Sequence, residues 1–143
     1  MSKYLVVTHQ TALSPDLHRK VGALIAQDPS AEFAVLVPQT PGAPNTWEGE
    51  TIDVATQRAE AAKTLLEDNA RARVVHTAVG DQDPLQAITD ELRARPGYDT
   101  LLICTLPPGI SRWLKLDLVH RAQRKFHRPV IHVVAEALAP SRR

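Results

Sequence analysis

Short runs of consecutive apolar residues alternate along this chain with stretches in which apolar residues recur every three or four positions. An unbroken apolar run is typical of a parallel β-strand covered on both faces, and the longer period is typical of a helix with one buried side. Five strands are predicted in this way, over 4–8, 33–37, 73–79, 98–105 and 129–134. Because they alternate with helices, they predict an α/β fold: a single-domain, open, parallel five-stranded sheet with helices on both faces.

Two of the predicted helices begin with the same signal, a polar residue that can cap the helix followed by proline. These are Ser14-Pro15 and Asp83-Pro84. A further helix is predicted from residue 52 or 53 to 69, and a fourth over 114–126. Their apolar stripes are Leu17, Val21, Leu24 and Ile25; Ala55, Ala59, Ala62 and Leu66; Leu85, Ile88 and Leu92; and Leu114, Leu118, Ala122 and Phe126. Residues 38–51, with three prolines and two glycines, are predicted to form a long loop.

The chain has the size and composition of one soluble globular domain. Its 143 residues are 43% hydrophobic and 23% charged, and the net charge of +1 gives no overall attraction to nucleic acid or a membrane. A single cysteine excludes a disulfide framework, and no apolar stretch approaches the roughly 18 residues of a membrane span. We expect a cytoplasmic domain over residues 1–134, followed by a flexible tail over 135–143.

Ligands of open α/β sheets bind beyond the carboxyl ends of the strands, where the strand order reverses. For the order 3-2-1-4-5 this point lies between strands 1 and 4, so the loops after those strands form the predicted cleft. The candidate ligand-binding residues are Thr8, His9, Gln10, Thr11, Gly109, Ser111 and Arg112. The first loop also leads into a helix N-terminus, which favours an anion. The alternative is that Thr11, Ser14 and Ser111 only cap helices and that His9 is exposed.

Residues 101–134, LLICTLPPGISRWLKLDLVHRAQRKFHRPVIHVV, resemble the C-terminal part of the universal stress protein family. The likeness lies in a strand, a glycine-containing loop, the Ser111-Arg112 turn, a long helix and the final Pro129-Val130 strand, and the βα order matches along nearly the whole chain. The resemblance implies a Rossmann-like, adenine nucleotide alpha hydrolase-like fold, a role in the stress response and a homodimer formed through the last strand. The predicted dimer edge is Val130, Ile131, His132 and Val133.

The glycines with which ATP-binding members of that family hold phosphate have no counterpart here. With the Ser111-Arg112 turn aligned, the motif glycines fall near Ile103 or Cys104, at Leu106 and at Leu116, and the motif Ser or Thr falls at Asp117. The acidic residue that usually follows the first strand is His9.

These departures weaken a phosphate site for three physical reasons. Side chains in place of glycine keep backbone N–H groups away from phosphate oxygens. Pro107 and Pro108 have no N–H to donate. Asp117 brings a carboxylate towards the negative triphosphate. We therefore expect a degenerate nucleotide site and no cofactor; the alternative is ATP or AMP bound through a non-standard phosphate loop.

Two kinds of catalytic centre were also considered. Cys104 ends strand 4 beside the cleft, where His9 could activate its thiol as a nucleophile; the alternative is an ordinary small core residue. The six histidines lie in different elements without metal-ligand spacing, so no metal site is predicted. They are His9, His18, His76, His120, His127 and His132.

Charge is unevenly distributed along the chain. Residues 44–91 hold ten acidic and four basic residues, and residues 112–128 hold six basic residues and one acidic residue. A basic helix is compatible with nucleic-acid contact, with a solvated face or with oriented self-association, and no aromatic platform accompanies it. Trp47, in the long loop, is either a lid over the cleft or an anchor. The sequence thus favours a non-catalytic dimer that acts through protein contacts or a small anionic ligand.

Overall fold

The computed structural model describes residues 2–8, 14–39, 48–81, 83–107, 113 and 117–135, with only the backbone described at 48–55. Strands and helices alternate through these residues as the sequence predicts. In chain order they are β1 (Lys3–Val7), α1 (Pro15–Gln27), β2 (Glu32–Pro38), α2 (Glu48–Ala70), β3 (Arg73–Gly80), α3 (Pro84–Ala94), β4 (Thr100–Thr105), α4 (Leu118–Phe126) and β5 (Val130–Val134).

All strand pairs in the sheet are parallel, and the order is β3-β2-β1-β4-β5. The central strand β1 pairs with β2 on one side and with β4 on the other, so that Val7 lies between Leu36 and Ile103. The predicted fold class and strand order are therefore confirmed. The order reverses at β1 and β4, and their carboxyl ends meet at the predicted cleft.

Two apolar layers cover the sheet, one on each face. The layer under α1 and α2 includes Leu17, Val21, Leu24, Phe33, Val35, Ala62, Leu66 and Cys104. The layer under α3 and α4 includes Leu5, Leu36, Ile88, Leu92, Leu101, Ile103, Leu118 and Ala122. Burial of each large aliphatic side chain contributes about 1.5–3 kcal/mol to the free energy of folding, so these two layers are the main source of stability.

Both predicted cap-plus-proline signals form N-caps. The Ser14 hydroxyl accepts hydrogen bonds from the backbone N–H groups of Asp16 and Leu17, at 3.1 and 3.4 Å. The Asp83 carboxylate accepts one from the N–H of Leu85 at 3.0 Å. Each cap satisfies N–H groups that the first helical turn leaves without an internal partner, which fixes where the helix begins.

The second helix begins earlier than the sequence predicts. It starts at Glu48 rather than at residue 52 or 53, so the predicted loop over 38–51 is shorter. The glycine content of this stretch favoured a loop, but a glycine inside a helix costs only about 1 kcal/mol, so the helix can include Gly49. Residues 40–47, with Trp47, lie outside the described part of the chain.

The last strand continues its pairing one residue beyond its assigned end. The N–H of Ala135 donates to the carbonyl oxygen of Thr105 at 2.8 Å, and Ala135 is fully buried. The rest of the predicted tail, residues 136–143, lies outside the described residues. Among the helices that the structure describes, none is both long enough and apolar enough to cross a membrane.

Candidate functional site

Thr8, the residue that follows β1, lies at the switch point where the cleft is predicted. Thr8 is fully buried, and its N–H donates to the carbonyl oxygen of Leu36 on β2 at 3.1 Å. This bond holds the residue that follows β1 in the sheet. Of the predicted ligand-binding residues, Thr8 alone is among those described; His9, Gln10, Thr11, Gly109, Ser111 and Arg112 lie outside them.

Thr105, the last residue of β4, makes a side-chain contact with the neighbouring edge strand. Its hydroxyl lies 2.8 Å from Nε2 of His132 on β5. The register explains the contact, because His132 pairs with Ile103 and Thr105 lies two residues further along the same face of β4. Thr105 is buried, whereas the side chain of His132 is exposed. The end of β4 is thereby tied to the strand predicted to form the dimer edge.

The imidazole of His132 favours its neutral form. Desolvation of the ring against the sheet, and then the positive charge that His120 can carry, lower the pKa of His132 below its usual value. His120 itself lies on α4, where its Nδ1 is 2.8 Å from Oδ1 of Asp117. A proton on His132 is therefore disfavoured in the folded chain.

Asp117 precedes α4 in a left-handed backbone conformation, with φ 57°. Its carboxylate makes no capping hydrogen bond to the helix, is about half exposed and contacts only His120 among the interactions of the described residues. In the resemblance drawn from the sequence, this is the position of the Ser or Thr of the phosphate motif. The structure therefore puts a solvent-facing negative charge at the start of a helix, where an anion would otherwise be attracted.

A second concavity lies at the carboxyl end of the outer strand β3, on the side covered by α3. It encloses about 290 Å³. Its lining residues are Leu36, Gln39, Val79, Gly80, Asp81, Ala87, Asp90 and Glu91. Three carboxylates around an apolar floor repel phosphate, so this concavity is not an alternative polyphosphate site.

Glu91, in the wall of that concavity, is a buried carboxylate with hydrogen-bonded partners. The Tyr98 hydroxyl donates to Oε2 at 2.7 Å, and Nη1 of Arg95 lies 3.5 Å from Oε1. Nε2 of His76 is 3.8 Å from Oε2, is shielded from solvent and has no hydrogen-bond partner among the described residues. Burial, and then the hydrogen bond to Glu91, raise the pKa of Tyr98. The group ties α3 to the turn before β4 and is structural.

The catalytic alternatives gain no support from the described residues. Cys104 is almost fully buried within the core layer under α1 and α2, an environment that disfavours a thiolate. Its proposed activator, His9, lies outside the described residues. Within the described ranges no group of three or more His, Cys, Asp or Glu side chains is arranged to hold a metal ion.

Two contacts of this site escaped the sequence analysis. Periodicity identifies strands but not register, and the Thr105–His132 contact depends on the register of β4 with β5. The Asp117–His120 pair has a readable signal, an acid three residues before a histidine at a helix start. Glu91 has no such signal, because its partners Tyr98 and His76 come from other elements.

Solved structures of universal stress proteins share this fold. One in complex with cAMP has a TM-score of 0.60 at 15% sequence identity, covering 94% of this chain and 98% of that chain. One from Archaeoglobus fulgidus has a TM-score of 0.62 at 18% identity, covering 93% of each chain. A universal stress protein family protein from Arabidopsis thaliana with AMP bound has a TM-score of 0.54 at 11% identity, covering 99% and 97%.

These structural similarities identify the fold of the domain. The chain has the α/β fold of universal stress proteins, and the resemblance seen in residues 101–134 is confirmed at the level of the fold. A scan against protein-family models and a search of curated proteins found no match.

Proposed function

We propose that this chain is a non-catalytic, homodimeric member of the universal stress protein class whose site no longer holds the triphosphate of ATP. Its role in the stress response is exerted through protein contacts or a small anionic ligand in the β1/β4 cleft. The chain shares its fold with structures that carry cAMP or AMP, which supports descent of the cleft from a nucleotide-binding site. The residues that follow β4 support the proposal that the chain no longer binds the triphosphate.

The single observation that carries the proposal is the carboxylate of Asp117 at the start of α4. It is about half exposed, and His120 is its recorded partner. A like charge about 4 Å away costs on the order of 4 kcal/mol at an effective dielectric constant of about 20. One hydrogen bond to a charged group contributes about 1.5–3 kcal/mol of favourable free energy. Repulsion therefore outweighs what one remaining donor could contribute.

The sequence around Asp117 supports the same proposal. Leu106 and Leu116 stand where the resemblance has glycines, and Pro107 and Pro108 have no N–H to offer. A polyphosphate site is built from closely approaching backbone N–H groups, so these residues reduce the number of donors as well as their access.

A calorimetric titration with Mg-ATP tests the loss of the phosphate grip. We expect no micromolar binding to the wild-type protein, and binding at least tenfold tighter for Leu116→Gly/Asp117→Ser. Asp90→Ser, which removes an exposed acid from α3, is the matched control and leaves the affinity unchanged. Micromolar binding of Mg-ATP by the wild-type protein would overturn the proposal.

The proposed homodimer forms along β5, an outer strand of the sheet. The hydrogen bonds that Pro129 and Ala135 make with β4 show which residues face inward. Because backbone groups alternate along a strand, residues 130, 132 and 134 direct their N–H and C=O groups away from β4. Val130 and Val134 are also partly exposed, so this edge offers both hydrogen bonds and apolar surface to a second copy.

If a two-fold axis passes through the middle of β5, the outward N–H and C=O groups of residues 130, 132 and 134 can all form hydrogen bonds with the second copy. Two copies related by such an axis run antiparallel and pair Val130 with Val134 of the second copy and His132 with itself. Multi-angle light scattering at high micromolar concentration should give about twice the 15.7 kDa chain mass. Val134→Pro removes an outward N–H and should shift the protein to monomer, since proline is tolerated at such an edge position. A wild-type monomer at that concentration contradicts the dimer.

A second candidate function is the binding of an adenosine monophosphate in the same cleft. The observation that favours it is that two structures of this fold carry AMP or cAMP, which lack a triphosphate. The titration above distinguishes the two candidates when AMP and cAMP are used beside Mg-ATP. Micromolar binding of a monophosphate alone favours the second candidate.

A further inference from the structure

His132 occupies the centre of the outer strand β5. Its backbone faces away from β4, as derived above from the bonds of Pro129 and Ala135. Its side chain lies on the face of the sheet covered by α4, because it pairs with Ile103 and contacts Thr105 on that face. At the β5 edge of the sheet, His132 therefore has backbone N–H and C=O groups that face away from β4 and a side chain that can be protonated.

The two-fold pairing proposed for β5 brings two copies of this imidazole together. Residues that pair directly across antiparallel strands point to the same face, with Cβ atoms about 4.5–5.5 Å apart. The axis passes through residue 132, so each His132 faces the other. The flanking pairs are Val130 with Val134 of the second copy, so the imidazoles lie between apolar neighbours and lose contact with water.

No counter-charge from the described residues stabilises a proton there. On β4 the contact of His132 is the neutral hydroxyl of Thr105. On α4 the titratable neighbour is His120, whose carboxylate partner is Asp117. On the opposite face β5 contributes Val133 to an apolar layer that also contains Leu24 of α1. The surroundings disfavour the imidazolium already in the monomer.

We propose that His132 makes the β5 homodimer sensitive to pH, so that protonation of the two facing imidazoles separates the copies. This inference rests on the homodimer proposed above. Dimer formation removes the rings from water and opposes two like charges, and both effects lower the pKa of each His132 further. The dimer then binds fewer protons than two monomers, so association weakens as the pH falls through the titration of histidine.

Sedimentation equilibrium at pH 8, 7, 6 and 5.5 tests the inference on the full chain. A further lowering of the pKa by one unit at each of two sites limits the change in the dimer dissociation constant to about hundredfold at low pH. Because the pKa of His132 already lies below its usual value in the monomer, the titration is incomplete at pH 5.5, and we expect the dissociation constant to rise by about threefold or more between pH 8 and 5.5. His132→Gln keeps a polar side chain opposite Thr105 and should form a dimer whose dissociation constant is nearly independent of pH. His18→Gln, on α1 at the opposite face, should behave as the wild type does. Far-UV circular dichroism at each pH verifies that the variants remain folded.

The outcomes separate the inference from the dimer on which it rests. If the wild-type protein and His132→Gln form dimers with the same pH dependence, the inference is overturned and the dimer stands. If the wild-type protein is a monomer at pH 8, the dimer and the inference both fail. If the pH dependence disappears in His18→Gln instead, His132 is not the responsible group.

Discussion

The hydroxyl of Tyr98 donates a hydrogen bond of 2.7 Å to Oε2 of Glu91, and both side chains are buried. The bond joins the middle of α3 to the turn that leads into β4. It gives a buried carboxyl group one of the hydrogen-bond donors that a polar group needs away from water.

Tyr98→Phe removes that donor and keeps the ring. We expect a loss of about 1–3 kcal/mol in the free energy of unfolding, because the buried carboxylate of Glu91 loses a hydrogen bond that water cannot replace. Urea unfolding at pH 7 measures the change. Tyr4→Phe is the matched control, since the contact of Tyr4 is ring stacking on Phe33, and it should change stability by less than about 0.5 kcal/mol.

The same pair predicts an alkaline pH dependence. The pKa of Tyr98 is raised above the value of about 10 that holds in the unfolded chain. The stabilisation is therefore complete below pH 10 and is lost as the pH rises above it. Between pH 8 and pH 11 the urea midpoint of the wild-type protein should fall further than that of Tyr98→Phe. Equal falls in the two proteins would mean that Tyr98 ionises as easily in the folded chain as in the unfolded one.

Gly80 marks a close approach between the end of β3 and α3. A Cβ atom at this position would lie 2.5 Å from Cβ of Ala87. Gly80→Ala should therefore cost about 1–3 kcal/mol of stability through overpacking. Gly22→Ala is the matched control on α1, where the added Cβ meets nothing within 4 Å, and it should stabilise the protein by about 0.5–1 kcal/mol. Chemical denaturation gives both values, and a neutral Gly80→Ala would show that α3 can shift to make room.

Arg128 joins the segment between α4 and β5 to the turn before β4 through hydrogen bonds. Its guanidinium donates to the carbonyl oxygens of Tyr98, Phe126 and Pro96, at 2.9, 3.2 and 3.2 Å. Lysine has no planar fork and cannot reach three such acceptors, so Arg128→Lys should lose about 1–3 kcal/mol. The thermal unfolding midpoint of Arg128→Lys, compared with that of the exposed-site control Arg124→Lys, measures the effect. Equal midpoints would mean that the three bonds contribute nothing net.

The fold was predictable because its determinants are local. Unbroken apolar runs identified the strands, and the cap-plus-proline signals at Ser14 and Asp83 identified two helix starts. The alternation of elements predicted an open parallel sheet, and the order 3-2-1-4-5 on which the cleft was placed is the order that the structure has. The start of α2 was missed because a glycine inside a helix costs only about 1 kcal/mol, which neighbouring residues can offset.

The site was predictable only in outline, because its contacts join distant parts of the chain. The position of the cleft was predicted from strand order alone, and Thr8 lies at the carboxyl end of β1; its part in ligand binding stays a prediction. The Thr105–His132 contact requires the register of two strands. The uncapped, half-exposed carboxylate of Asp117, which contacts His120 instead of the helix N–H groups, occurs with a left-handed backbone that the sequence does not reveal.

The account depends most on the claim that the cleft does not hold a triphosphate. Mass spectrometry of nucleotides released by denaturing the purified protein tests this directly, because it reports what the cleft retains from the cell. We expect far less than one ATP per chain, and no increase after incubation with Mg-ATP and desalting. ATP close to one per chain, retained by the wild-type protein and lost in Leu116→Arg, would contradict it.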